Sequence, residues 1–243
     1  MKLVMFDCDS TLVKSEGIDD LAELREKDRE VARLTRMAMD GETTMSQIFT
    51  QRLDLIRPHR DDLQVISRRY LENIVEDAQE TINLFKLLGY EIGIISGGYA
   101  QAVFALAATL GISANHIYAV DLNFDGSGGY LGFEDKYGLA KSGGKLNLLQ
   151  SLRDEFSPQK LIMVGDSVTD LESKPAVDLF VGYGGVVQRD KVRDESTYYI
   201  ECESLAPLLE IVLDEHEKQL VASQAQPLFQ KIRSLKAAGL FYN

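Results

Sequence analysis

Short apolar runs alternate along most of the chain with stretches whose apolar positions recur at helical spacing. In order they read KLVMF, TINLFKLLG, EIGIIS, AQAVFALAATLG, IYAV, GKLNLLQSLRDEF, KLIMVG and LFVGYG. Strand-length runs separated by helix-length segments are the pattern of βαβ units, so the chain is expected to be α/β, with a parallel sheet covered by helices on both faces. Gly89 and Gly111 stand where two of these helices should end and supply the left-handed residue that a helix C-terminus favours. Around Asp125 to Gly129, the turn sequence DGSGG separates the short runs LNF and YLGF, which predicts a β-hairpin.

Residues 14–76 break the alternation. LAELREKDREVARLTRMAMDG and MSQIFTQRLDLIRP favour helix and carry no strand signal. This segment leaves directly after the first strand and returns before a helix starting near Gln79, which would place it as a helical lid over that strand's end. The expected organisation is a catalytic core formed by 1–13 and 77–204, an inserted helical cap over 14–76, and a helical extension over 205–243. The extension has apolar residues at helical spacing and no recognisable chemistry, and reads as a packing or dimer helix, so that a homodimer is compatible with the sequence but not required by it.

A chain of 243 residues suits one core carrying a smaller insertion. With 26 Lys plus Arg against 38 Asp plus Glu, the formal charge of -12 repels nucleic-acid backbones and anionic lipid surfaces. No apolar run approaches the ~20 residues that span a bilayer. The opening MKLVMFDCD reaches an aspartate too soon for a secretory signal, and Cys8 and Cys202 form neither a disulfide framework nor a CxxC metal site. A cytoplasmic location is expected.

Three strand-like runs end in residues suited to phosphate chemistry: LVMF at Asp7 and Asp9, EIGII at Ser96, and KLIMVG at Asp166. In an open parallel sheet these ends share one edge, where ligands bind. Asp7 and Asp9 place two carboxylates in one turn, one to attack phosphorus and one to handle the leaving group's proton. With Asp166 and Asp170 they form an oxygen-rich acidic site that needs a hard cation before a phosphate dianion can enter, and magnesium suits it best. Lys145 in SGGK adds positive charge, and Gly97 and Gly98 allow backbone N–H groups close to the phosphate. Other assignments of these motifs fail. A calcium loop would need a ligand and then glycine where Thr11 and Leu12 stand, and a Walker loop would need Ser or Thr where Leu146 follows the lysine. Cys8 lacks the arginine of a cysteine-phosphatase loop, and His59, His116 and His216 are isolated and receive no role.

FDCDSTLVKSEGID, ISGG, KSGGK and GDSVTDLE resemble the four motifs of the haloacid dehalogenase superfamily, and within it the phosphoserine phosphatases. The resemblance covers about residues 3–212, with MAMDGETTMSQIFTQRLDLIRP similar to the cap of that family. It implies a Rossmann-like core with a helical cap, and Mg2+ held by Asp7, the Asp9 carbonyl and Asp166 with Asp170 supporting that shell. It further implies a phosphoryl group held by Ser96, Gly97 and Lys145, with Met39 and Thr169 near the substrate. Glu16 would meet a substrate ammonium and Arg52 would clamp its carboxylate, a pairing that suits an amino acid phosphate. The chain departs from the family at Asp40, Met45 and Ser167, all near the expected pocket. The expected partner is thus a small phosphomonoester, first of all L-phosphoserine; a different small phosphomonoester and a phosphoaspartate signalling module are the alternatives.

Overall fold

Strand β1 (Lys2–Phe6) is apolar from Leu3 onward, and those residues are completely buried. That is the behaviour of a parallel strand covered on both faces. In the computed structural model, which describes residues 1–39 and 44–242 without the side chains of 37–39 and 45, β1 lies inside an eight-stranded sheet. The expectations for Asp40 and for the Met39 and Met45 side chains therefore lie outside the described residues. The other strands are β2 (Tyr90–Tyr99), β3 (Ile117–Phe124), β4 (Tyr130–Glu134), β5 (Lys160–Gly165), β6 (Leu179–Tyr183), β7 (Tyr198–Ile200) and β8 (Phe241–Tyr242). Their order is β4-β3-β2-β1-β5-β6-β7-β8, parallel throughout the centre and antiparallel only where β4 and β8 join at the two edges.

The chain builds outward from β1 through β2 and β3, then crosses back to place β5 on β1's other side. This reversal opens a crevice at the carboxyl ends of β1 and β5. Phe6 stands opposite both Ile94 and Val164, so Asp7 emerges level with the end of β5 and beside the last part of β2.

Among the described residues, four helices fill the stretch 14–76 that follows β1: α1 (Gly17–Leu24), α2 (Asp28–Met39), α3 (Met45–Ile56) and α4 (Asp62–Glu72). A capping box between Thr44 and Gln47 starts α3, satisfying backbone donors that a helix start leaves open. The segment leaves and returns side by side. Lys14 N–H donates to Asn73 O at 2.8 Å, and Val75 N–H to Leu12 O at 2.9 Å. The four helices do not share one neighbour: α2 packs on α3, whereas α4 lies along the core helix α6 (Ala100–Thr109) and buries Leu63, Ile66 and Tyr70. The β3–β4 hairpin reaches the same segment, where His59 Nε2 meets Ser127 O at 2.8 Å and Arg60 N–H donates to Gly128 O at 2.9 Å.

The remaining helices are α5 (Ala78–Leu87), α7 (Gly144–Phe156), α8 (Val168–Leu171), α9 (Asp190–Glu195), α10 (Pro207–Val212), α11 (Glu215–Val221) and α12 (Gln226–Ala237). Gly89 and Gly111 adopt φ of 77° and 65° after α5 and α6, the left-handed positions anticipated for them. The C-terminal stretch differs from a purely helical extension, because its last residues form β8 and cover the edge of β7. Two residues are too few to show strand alternation, so nothing in LFYN announced the pairing. Among the described residues no helix is long and apolar enough to cross a membrane.

Candidate active site

The carboxyl ends of β1, β2 and β5 bring together the residues that the motifs singled out. Asp7 follows β1 directly; its N–H donates to Val164 O at 2.9 Å, which ties it to β5. Its Oδ1 accepts from the Cys8 N–H at 2.8 Å and pairs with Lys145 Nζ at 2.8 Å. Lys145, buried in the first turn of α7, also reaches Asp170 Oδ1 at 2.5 Å. Ser96 lies within β2 and accepts a hydrogen bond from Gly98 N–H at 2.9 Å. Gly97 follows in the same strand, where an added Cβ would sit 3.4 Å from Leu139 O.

Asp166 lies in the turn between β5 and α8, and Asp170 in α8 itself. Asp166 Oδ1 accepts from the Thr11 hydroxyl at 2.9 Å. Asp170 is fixed by a capping box: the Ser167 N–H and hydroxyl donate to its Oδ2 at 2.9 and 2.6 Å. A Cβ at Gly165 would stand 2.3 Å from Asp170 Cγ, so only glycine leaves room for that carboxylate. Ser167, one of the departures from the family pattern, therefore anchors Asp170 and also contacts the Thr169 hydroxyl at 2.8 Å.

The electrostatics of this cluster are unbalanced. Asp7, Asp166 and Asp170 are buried and offer oxygens that all lie within 4.8 Å of one another. Burial raises Asp7 well above the usual carboxylate range, and repulsion from Asp170 adds to it against the pull of Lys145. Burial and the charges of Asp170 and Glu16 push Asp166 up to about 7. Burial alone would lower Lys145, but Asp170 and Asp7 more than offset this and raise it. One lysine does not neutralise the set. The donors are all carboxylates, with no histidine or thiolate among them, and such a buried excess of hard oxygen ligands fits a hard divalent cation.

Asp9 sits to the side of this cluster. Its Oδ1 accepts from the Tyr70 hydroxyl and its Oδ2 from the Gly17 N–H at 3.2 Å. Burial and the neighbouring Glu16 push it up to about 7, although both hydrogen bonds act in the opposite direction. Glu16 immediately precedes α1, and its carboxylate accepts from the Ser10 hydroxyl at 2.6 Å. Arg52, on α3, is partly buried; NH1 reaches the Thr35 hydroxyl at 3.4 Å, and its buried Nε has no hydrogen-bond partner among the described residues. Burial lowers Arg52 from its ordinary value while Tyr99, Asp19 and Glu16 work to raise it, which places those groups around it.

Two site residues escaped the sequence analysis. Arg189, in the loop after β6, sets Nε 3.2 Å from Asp166 Oδ2 and NH2 3.8 Å from Glu16 Oε1, bridging the acidic cluster to the mouth of the site. Its surroundings, VVQRDK, contain no motif. Tyr70 could be placed on the apolar face of α4 by its spacing from Leu63 and Ile66, but no spacing rule pairs it with Asp9. His59, His116 and His216 lie elsewhere, on the hairpin contact, beside Glu91 and on α11.

Comparisons with known proteins converge on one family. The model of the haloacid dehalogenase-like hydrolases matches residues 1–176. The chain is 36% identical over 197 residues to the phosphoserine phosphatases of Mus musculus and Homo sapiens, spanning 81% of this chain and 88% of each relative. A solved structure described as a phospho-aspartyl intermediate analogue of phosphoserine phosphatase is similar with a TM-score of 0.75 and 26% identity, over 87% of this chain and 99% of that one.

Proposed function

The chain belongs to the haloacid dehalogenase-like hydrolases and is a phosphoric monoester hydrolase, and from that premise we propose that it hydrolyses L-phosphoserine with magnesium, through an acyl phosphate formed on Asp7. The observation that carries the proposal is the placement of Asp7. A buried carboxylate at the carboxyl end of β1 has Lys145 Nζ at 2.8 Å and the further acids Asp166 and Asp170 within one cluster. The likeness to a phospho-aspartyl intermediate analogue supports the same step.

Asp7, the Asp9 carbonyl and Asp166 would hold the magnesium ion, with Asp170 steadying the set through Lys145 and Ser167. When bound, the ion supplies positive charge that offsets the clustered carboxylates and the phosphoryl oxygens. The chemistry then belongs to the side chains. An Asp7 oxygen attacks phosphorus in line, the bond from phosphorus to the serine oxygen breaks, and Asp9 gives its proton to that oxygen. Serine departs. Asp9, now a carboxylate, takes a proton from water as that water attacks phosphorus; phosphate leaves and Asp7 is restored. Lys145 and Ser96, with the backbone at Gly97, hold the phosphoryl oxygens, and Lys145 carries the charge for this because its acidic neighbours keep it protonated.

At the other end, Glu16 would receive the ammonium and Arg52 the carboxylate, with Thr169 at the phosphate side and Met39 in the α2 segment. The buried Arg52 Nε, without a partner among the described residues, supports a clamp that closes on substrate. In this reading, helices α1–α3 shield the reaction, with residues 14–76 as the cap.

The test is phosphate release from L-phosphoserine compared with phosphothreonine, phosphoethanolamine and glycerol phosphate, with and without magnesium. Preference for phosphoserine is expected. Asp7→Asn should abolish turnover, and Asp9→Asn should reduce it by ~10²–10⁴-fold, the usual contribution of a positioned acid and base. Near-wild-type turnover in either variant would remove the mechanism; equal rates on all four esters would remove the substrate assignment alone.

A further inference from the structure

The Asp9 carboxylate is held by the inserted helices and not by the sheet that presents it. Tyr70, from α4, donates its hydroxyl to Oδ1, and the Gly17 N–H at the start of α1 donates to Oδ2 at 3.2 Å. Tyr70 is completely buried, and the space around its hydroxyl is kept by two glycines. A Cβ at Gly17 would stand 2.6 Å from the Tyr70 hydroxyl oxygen, and one at Gly98 would stand 3.4 Å from it. The same Cβ at Gly98 would meet Ser96 Oγ at 3.0 Å and Asp9 Oδ2 at 3.4 Å. Both glycines thus guard a junction where α4, α1 and β2 converge on one carboxylate. The docking of α4 along α6 fixes Tyr70 relative to the core.

From this geometry we propose that Tyr70 is a positioning residue for Asp9, aiming its carboxyl group during proton transfer to the leaving oxygen. The inference rests on the reaction read above and adds a residue to it. A carboxyl group turns readily about its last bond, and one donor on each oxygen holds that plane. A phenol hydroxyl is a donor throughout the neutral range and loses nothing on entering a buried site if it finds an acceptor. Attack by Asp7 does not depend on this contact, because Asp7 is fixed by the Cys8 N–H, the Val164 carbonyl and Lys145. Loss of the hydroxyl should therefore slow the step that needs a proton and spare attack on an ester whose leaving group needs none.

Tyr70→Phe keeps the ring and removes only the hydroxyl. Single-turnover release of serine from phosphoserine is set beside the nitrophenolate burst from p-nitrophenyl phosphate, whose leaving group departs without a proton. For the variant, alcohol release should fall by on the order of 10- to 100-fold, the scale of a misaimed reacting group, while the nitrophenolate burst keeps its wild-type rate. Asp9→Asn should give the same pattern more strongly. Phe49→Leu, a cap substitution at the ring that meets Phe133 edge to face at 5.0 Å, should not distinguish the two esters, which controls for general loosening of the cap. Equal slowing of both esters by Tyr70→Phe, or slowing of neither, would overturn the inference. If the wild type prefers another alkyl phosphate, the comparison uses that ester, so the substrate assignment falls while the ratio still decides the role of Tyr70. Absence of a burst or of release from every ester in the wild type would overturn both.

Discussion

Arg52 and Asp9 show how single side chains in this site depend on neighbours remote in sequence. The Arg52 guanidinium is held among Tyr99, Asp19 and Glu16, yet its Nε has no hydrogen-bond partner among the described residues, and a buried donor left open costs about 1–3 kcal/mol. A substrate carboxylate would satisfy it. Arg52→Ala should lower kcat/KM for phosphoserine by ~10–100-fold, the value of a charged hydrogen-bond pair, and leave a phosphate ester without a carboxylate nearly unaffected. Equal losses on phosphoserine and phosphoethanolamine would show that Arg52 acts on the cap and not on the substrate. Legibility at this scale follows chain proximity. Asp7, Asp9, Ser96, Lys145, Asp166 and Asp170 announce themselves because each sits in a short motif at a strand end or helix start. Tyr70 and Arg189 do not, because each joins the site through a side chain whose partner lies far off in the chain.

Among the elements, β1, β2 and β5 were readable from sequence because strands buried on both faces must be almost continuously apolar. The hairpin of β3 and β4 was readable from its turn residues. The last strands were not. β7 has three residues and β8 two, and their pairing is settled by what packs behind them, with Phe241 buried and Tyr199 completely buried. Phe241→Ala should destabilise the protein by about 3–5 kcal/mol, as loss of a buried phenyl ring does, read as a lower urea midpoint. The specific activity of the folded fraction should stay at the wild-type value, since β7 and β8 lie at the sheet edge away from the Asp7 end of β1. A loss of activity without loss of stability would mean that the C-terminal stretch reaches the site in a way its position does not suggest. The same stretch also touches the root of the insertion, where Lys231 Nζ pairs with Asp77 at 2.5 Å and Glu76 at 2.9 Å. These partly exposed pairs should contribute less than about 1 kcal/mol.

For the molecule as a whole, the acidic cluster links stability to pH and, with the proposed magnesium, to metal. Asp9 and Asp166 ordinarily titrate at 3.8 but are raised to about 7 in the fold, first by burial and then by neighbouring carboxylates. The folded state therefore binds more protons than the unfolded state between those values. Without metal, these groups make the protein less stable as pH rises from about 4 through about 7, and above that range the cost is fully present. A divalent cation bound by the cluster acts against that repulsion, and binding to the folded state alone raises stability. Magnesium should thus raise the melting temperature more at pH about 8 than at pH about 5, where protons already occupy the carboxylates. Asp166→Asn should flatten the difference. A magnesium effect independent of pH, or one retained in Asp166→Asn, would place the ion elsewhere.

The most direct measurement is to mix the protein with magnesium and L-phosphoserine labelled in its phosphate, quench in acid within the first turnover, and map the labelled peptide. Label on the peptide carrying Asp7, formed as fast as serine is released and absent from Asp7→Asn, is the result predicted here. Serine released with no labelled protein, or label on any residue other than Asp7, would contradict the account.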